Sequence, residues 1–207
     1  TIHGKTMYTP FVQHPEKLTD HKNPIVQAAP LIEALVEWSR DYEVRHRCSY
    51  KGGDVIPKVE IGAIKGGHPH YVIGGTDICS LYLDCRITPG TTPREIREEL
   101  ERVVRSVGIQ ADIELFLFRQ GYEAEYEKVL PFVEKCKSAH QAVFETELQM
   151  ADPVFSSMWR DHSVFNEYRV ASVTYGPPRF KPKLADLMNC ARVYAAIALE
   201  VCMAERT

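Results

Sequence analysis

No two cysteines in this 207-residue chain stand at C-x-x-C spacing. Cys48, Cys79, Cys85, Cys136, Cys190 and Cys202 are scattered. That excludes a zinc ribbon or a thioredoxin-type pair, since either needs two thiolates within reach of one metal or one partner sulfur. Most of the six lie inside apolar runs, so they read as reduced core cysteines of a cytoplasmic protein. Long apolar runs are missing too. The longest uncharged one, residues 193–199, is far short of the ~20 residues that span a membrane. Basic excess is absent: the net charge is −3 and the isoelectric point about 6.2, which argues against counterion-driven nucleic-acid binding. The chain has no G-x-S-x-G elbow, P-loop or dinucleotide fingerprint, and Gly62-x-x-x-Gly66-Gly67 lacks the following helix that a phosphate cradle needs. The opening Thr1-Ile2-His3-Gly4-Lys5 contains neither an initiator Met nor the apolar segment of a signal peptide. It already has the character of a strand, which predicts a protein that begins upstream.

What remains, 44% hydrophobic and 26% charged, is the composition of a soluble globular protein. Period and punctuation divide it into blocks at 1–121 and 122–207. In the first block Thr92-Pro93-Arg94-Glu95 is a capping box with proline at the first helical position. Ile96, Leu100, Val103, Val104 and Val107 follow at helical spacing until Gly108, and the charges along 94–105 form the solvated side. An earlier helix opens at Asn23-Pro24, with Ile25, Ala29, Ile32, Val36 and Ser39 on one side and Pro30 kinking it or delaying its start. Residues 79–87 alternate. Cys79, Leu81, Leu83, Cys85 and Ile87 face a core, while Ser80, Tyr82, Asp84 and Arg86 face outward. Ile113, Leu115 and Leu117 repeat that pattern over 112–118, and 59–64 form a further strand. Two helices on one face of an antiparallel sheet make an α+β, ferredoxin-like arrangement.

The second block predicts a helix with Val129, Val133, Cys136, His140 and Val143, a strand over 147–150, a small helix over 161–167 and a strand over 171–175. A Gly-Pro-Pro turn leads to a final helix facing inward through Leu184, Leu187, Ala191, Tyr194, Ala198 and Val201. So small a sheet makes this part of an α/β domain, not a whole one.

Several residues could carry chemistry. His68-Pro69-His70 could share an ion, but no carboxylate or cysteine lies near it and the setting is that of a loop. Asp161 and His162 are neighbours, which point apart on a helix. Lys51-Gly52-Gly53-Asp54 reads as an exposed turn. Arg86, near the end of the most regular strand, offers a fork for a carboxylate or a surface pair with Asp84.

Three stretches taken together resemble the dimerisation domain of the M20 metallopeptidases, the family of acetylornithine deacetylase, succinyl-diaminopimelate desuccinylase, aminoacylase and carboxypeptidase G2. They are Ile61-Gly-Ala-Ile-Lys-Gly-Gly67, the strand Cys79-Ser-Leu-Tyr-Leu-Asp-Cys-Arg-Ile-Thr-Pro-Gly90, and the helix at Pro93. His3-Gly-Lys-Thr-Met-Tyr8-Thr9 is similar to the strand that opens this domain. Met158-Trp-Arg-Asp-His-Ser-Val-Phe-Asn-Glu167 and Ala171-Ser-Val-Thr-Tyr-Gly-Pro-Pro178 resemble the C-terminal part of the catalytic domain.

The resemblance implies a homodimeric, cytoplasmic enzyme in which two zinc-like ions activate a bridging water against the amide of a small N-acyl amino acid or peptide. No nucleic-acid or membrane partner is implied. Arg86 corresponds to a clamp for the substrate carboxylate, Gly176 to a turn whose backbone lines the substrate pocket, and Asp161 to a positional residue. The metal ligands and the general base belong to a segment before the dimerisation domain, and the one ligand expected later, a His after Gly176-Pro177, is missing from Pro178-Arg-Phe-Lys-Pro-Lys-Leu184. This chain alone is therefore expected to ligate no metal and to be inactive. Tyr8 stands in the slot of a His that supports the oxyanion, Ile73 in the slot of an Asn, and Arg169 and Ala171 where Gly and Pro usually stand. Those departures admit two alternatives: a member of the family that has lost its chemistry, or a free-standing ferredoxin-like module that binds a small ligand.

Overall fold

A computed structural model describes residues 1–50, 53–118, 125–149, 161, 164–165, 168–170, 172–177 and 181–203. They fall into two compact units, one over Thr1–Gly121 and one drawn from Tyr122–Asp152 and Trp159–Thr207.

The first unit is a mixed helix-and-sheet structure around a small antiparallel sheet. Strands β1 (Ile2–His3), β4 (Val59–Gly66) and β5 (Ile78–Cys85) pair in the order β1-β5-β4. The register sets Ile2 opposite Cys79 and Ile61 opposite Leu83, with a bulge between Ile61 and Ala63. A separate hairpin, β2 (Cys48–Tyr50) with β3 (Gly53–Val55), carries Asp54 on a strand and not in the expected open turn. Lys51 and Gly52 lie outside the described residues. Helices α1 (Pro24–Arg45) and α2 (Pro93–Val107) cover one sheet face. Gly4 lets β1 leave the sheet close beside the start of α1. A Cβ there would run into the Lys22 carbonyl and the Pro24 ring, and Lys5 N–H donates to that same carbonyl at 2.8 Å.

The core holds Ile2, Ala28, Leu31, Leu35, Trp38, Tyr42, Cys79, Ile87 and Ile96, with Leu81, Leu83 and Cys85 packed against it. The alternation expected of β5 is thus present, although the paired strand ends at Cys85, not at residue 87. The cap at Asn23 and the capping box at Thr92 both form. Asn23 accepts from Ile25 N–H at 2.9 Å, and Thr92 N–H donates to Glu95 at 2.7 Å. Gly108 closes α2 at φ +79°, left-handed backbone that glycine adopts without strain.

Three expectations for this unit need correction. The inward face of α1 is Pro24, Ala28, Leu31, Leu35, Trp38 and Tyr42, one position away from the stripe through Ile25, Ala29 and Val36, which is exposed. Both stripes are apolar, and the one with two aromatics and two leucines buries more area. Of the two effects expected of Pro30, the delayed start is absent: the helix runs continuously from Pro24. Residues 112–118 form no strand, and only Ala111 bridges, to Ile2.

In the second unit α3 (Tyr126–Phe144) packs on α4 (Leu184–Met203) through Cys136, Ala139, Val193 and Ile197. Leu184, Leu187, Ala191, Tyr194, Ala198 and Val201, expected inside, are exposed. An almost uniformly apolar helix has no period strong enough to name its buried side, so its contact with α3 chooses it. Residues 147–149 and 172–177 are not strands, though Leu148, Val173 and Tyr175 pack against this core. Val164 and Phe165 are helical, and the rest of 161–167 apart from Asp161 lies outside the described residues.

Candidate functional site

Tyr8 sits in extended backbone just before a 3-10 turn at Thr9–Phe11, its ring about half exposed and edge-on to Phe11 at 5.8 Å. The next residue fixes its surroundings. Thr9 donates to the Ile73 carbonyl through its N–H at 2.9 Å and its hydroxyl at 3.0 Å, and Met7 N–H donates to Gly74 at 3.0 Å. Tyr8 and Ile73 are thereby brought side by side although 65 residues apart in sequence. Tyr8, Phe11, Tyr71, Val72 and Ile73 are all exposed, and the two tyrosines among them carry hydroxyls.

Arg86 follows the last residue of β5. Its backbone is held from two sides: its N–H donates to Lys58 at 2.8 Å, and its carbonyl accepts from the buried Tyr42 hydroxyl at 2.8 Å. Burial pushes the Tyr42 hydroxyl well above its usual range, so it remains a donor. The half-buried guanidinium gives one bond to Asp84, at 2.7 Å, which leaves further N–H donors for a second carboxylate. No hydrogen bond or ring contact among the described residues joins Arg86 to Tyr8 or Ile73.

In the second unit the Asp161 carboxylate is exposed, and its carbonyl accepts from Phe165 N–H at 3.0 Å, opening a helical turn. Gly176 is exposed as well; a Cβ there would meet nothing within 4 Å, so crowding does not demand a glycine. His68 and His70 lie exposed in the loop after β4. His162 and Ala171 fall outside the described residues. No three His, Cys, Asp or Glu converge on a metal position among the described residues, so the described donors do not fit a bound ion and no metal step is derived from them.

Two polar clusters went unread in the sequence. Glu99 projects from α2 into the core, 6% exposed, and accepts four bonds: two from Arg45 at 2.7 Å, one from Trp38 at 2.8 Å and one from His46 at 2.9 Å. Those donors, the Arg45 fork first, hold its carboxyl down at about 2. A signal was available, since Glu99 stands three residues after Ile96 on the apolar stripe and not on the solvated side. The other cluster is in the second unit. His140 Nδ1 shares a 2.7 Å hydrogen bond with the Tyr175 hydroxyl, and the Tyr175 carbonyl accepts from Tyr194 at 2.8 Å. Burial pushes the Tyr175 hydroxyl up to about 12, so it stays neutral beside Gly176.

Comparison with known proteins adds two findings. Residues 13–112 match the family model M20_dimer, described as a peptidase dimerisation domain. The matched segment covers just under half of the chain and is similar to a peptidase dimerisation domain. It includes Ile73 and Arg86 and leaves Tyr8 just outside. The chain is also similar to the crystal structure of an M20 family metallo-carboxypeptidase, Sso-CP2, from Sulfolobus solfataricus, with a TM-score of 0.56 and 13% identity. That match covers 95% of this chain and 59% of the other, so the chain spans about three-fifths of the length of the structure it resembles. At that identity the likeness is one of fold.

Proposed function

We propose that this chain forms the dimerisation domain and the C-terminal catalytic segment of an M20-type amidohydrolase that cleaves the amide bond of a small N-acyl amino acid or peptide. The observation that carries the reading is the match of residues 13–112 to a peptidase dimerisation domain. The order of helices and strands in the first unit supports the ferredoxin-like form of that domain, and the exposed apolar side of α4 supports a second unit that is part of a larger one. On this reading the divalent metal is held by sequence outside this chain. Arg86 pairs with the substrate carboxylate through the donors Asp84 leaves open, Gly176 lines the pocket, Asp161 is positional, and two cytoplasmic copies associate through their first units, with the exposed strand β4 at the sheet edge.

The test is a hydrolysis assay of the 207-residue chain on N-acyl amino acids with added zinc, beside the longer parent enzyme. The reading predicts turnover by the parent and none by this chain. Turnover by this chain that survives a control preparation would overturn it.

One observation favours a second reading, a family member without chemistry. Where the resemblance implies a His and an Asn, Tyr8 and Ile73 stand together on an apolar surface, and neither carries a cation to an oxyanion. In the longer protein, Tyr8→His with Ile73→Asn separates the two readings. A rise of 100-fold or more from an undetectable kcat favours the silent member, whereas clear wild-type turnover excludes it.

A further inference from the structure

The turn after Tyr175 has a single backbone donor. Residues 177 and 178 are both proline, which has no N–H, so across Gly176-Pro177-Pro178 only Gly176 presents one. That N–H donates to no described residue. Gly176 is exposed, and a Cβ built on it would meet nothing within 4 Å, so the space beside it is open. An unspent donor on an open glycine is within reach of an acceptor from outside the chain.

The direction of that donor is fixed from behind. The Tyr175 carbonyl belongs to the same peptide unit as the Gly176 N–H, and in a planar trans peptide the two point to opposite sides. Tyr194, on α4, donates its hydroxyl to that carbonyl at 2.8 Å. The carbonyl is thereby turned towards Tyr194, and the Gly176 N–H away from it. The rest of Tyr175 is held as well. Its hydroxyl shares the 2.7 Å bond with His140 Nδ1 on α3, and its side chain packs against the core of the second unit. Its ring stands edge-on to the rings of both His140 and Tyr194, each at 5.8 Å. Turning the peptide over would reverse the N–H and would break the Tyr194 bond. Tyr194 itself is half exposed, so a phenylalanine would put the same ring in its place and lack only the bond to the carbonyl.

We infer that Tyr194 is a positioning residue: it holds the Tyr175–Gly176 peptide so that the Gly176 N–H is aimed at an acceptor oxygen of the substrate, on its carboxylate or its amide carbonyl. The inference rests on the functional proposal above, in which Gly176 lines the pocket and the substrate is an N-acyl amino acid or peptide. An N–H held in place beforehand binds such an oxygen without the cost of ordering a loose turn. Tyr194 touches no substrate and acts through the peptide alone.

The test makes two measurements on one variant, Tyr194→Phe. In the 207-residue chain the NMR order parameter of the Gly176 N–H is expected to be about 0.85, that of rigid backbone, and to fall below about 0.6 in the variant. Water replaces the lost hydroxyl bond, so Tm should move by no more than about 3 °C. In the longer parent protein the variant is expected to raise KM for an N-acetyl amino acid about tenfold or more, with kcat within about twofold of wild type. A merely structural loss would instead lower kcat through the folded fraction and leave KM alone. A Gly176 N–H already mobile in the wild type, or equally rigid in the variant, overturns the inference. An unchanged KM beside clear wild-type turnover also overturns it and leaves the functional proposal standing. A wild-type parent with no turnover overturns that proposal, and the inference with it.

Discussion

Glu99 shows how one side chain ties two helices together. Its carboxylate takes bonds from three residues of or beside α1, and every oxygen is satisfied, so the cluster is stable only as a complete set. Glu99→Ala leaves Trp38, His46 and Arg45 without their acceptor. Because Arg45 is 40% exposed, water recovers part of the loss, and a destabilisation of about 2–3 kcal/mol is expected from urea unfolding. The pH dependence has a definite sign. A carboxyl held at about 2 in the folded chain and near its ordinary 4.5 when unfolded adds stability above pH 4.5, which is lost as pH falls towards 2. Wild-type melting should therefore decline across that window, and Glu99→Gln should flatten the decline. An unchanged slope in the variant would show that the carboxylate gains nothing from its donors. If Arg86 pairs with a substrate carboxylate as proposed, Arg86→Ala in the longer parent protein should raise KM tenfold or more while Tm moves by less than 2 °C.

At the scale of elements, the ends of α1 and α2 and the inward side of α2 were legible in the sequence, and the inward sides of α1 and α4 were not. Thr92, Pro93, Glu95 and Gly108 act through bonds within a few residues, so the start and stop of α2 follow from local chemistry. Thr92→Ala should cost about 1 kcal/mol in chemical unfolding. The buried side of α1 depends on the sheet beneath it, and two apolar stripes one position apart cannot be ranked by period alone. Leu35→Ala should cost about 2–5 kcal/mol and Val36→Ala no more than about 0.5, a contrast that inverts if the stripe through Ile25 and Val36 faces the core. The same limit applies to α4, where the expected stripe from Leu184 to Val201 is exposed and Cys190, Val193 and Ile197 are buried instead. The alternation over 112–118 was visible for a good reason, since the residues have the pattern of a strand, but a strand also needs a neighbour along its length.

For the whole molecule, the setting of a fork at a strand end is what proposes Arg86, and a slot located by resemblance is what proposes Tyr8. The Asp84 partner of Arg86 was one of the two readings the sequence offered, whereas the ladder that sets Tyr8 against Ile73 depends on folding and was not legible. The proposed function has two copies associate through their first units, each of which is similar to a peptidase dimerisation domain. Sedimentation-velocity centrifugation of the 207-residue chain at micromolar concentration measures this directly. The account predicts one species at twice the chain mass of 23.6 kDa, shifted towards monomer by Ile64→Lys on the exposed β4 edge. A wild-type chain that sediments as a monomer throughout that range would contradict it.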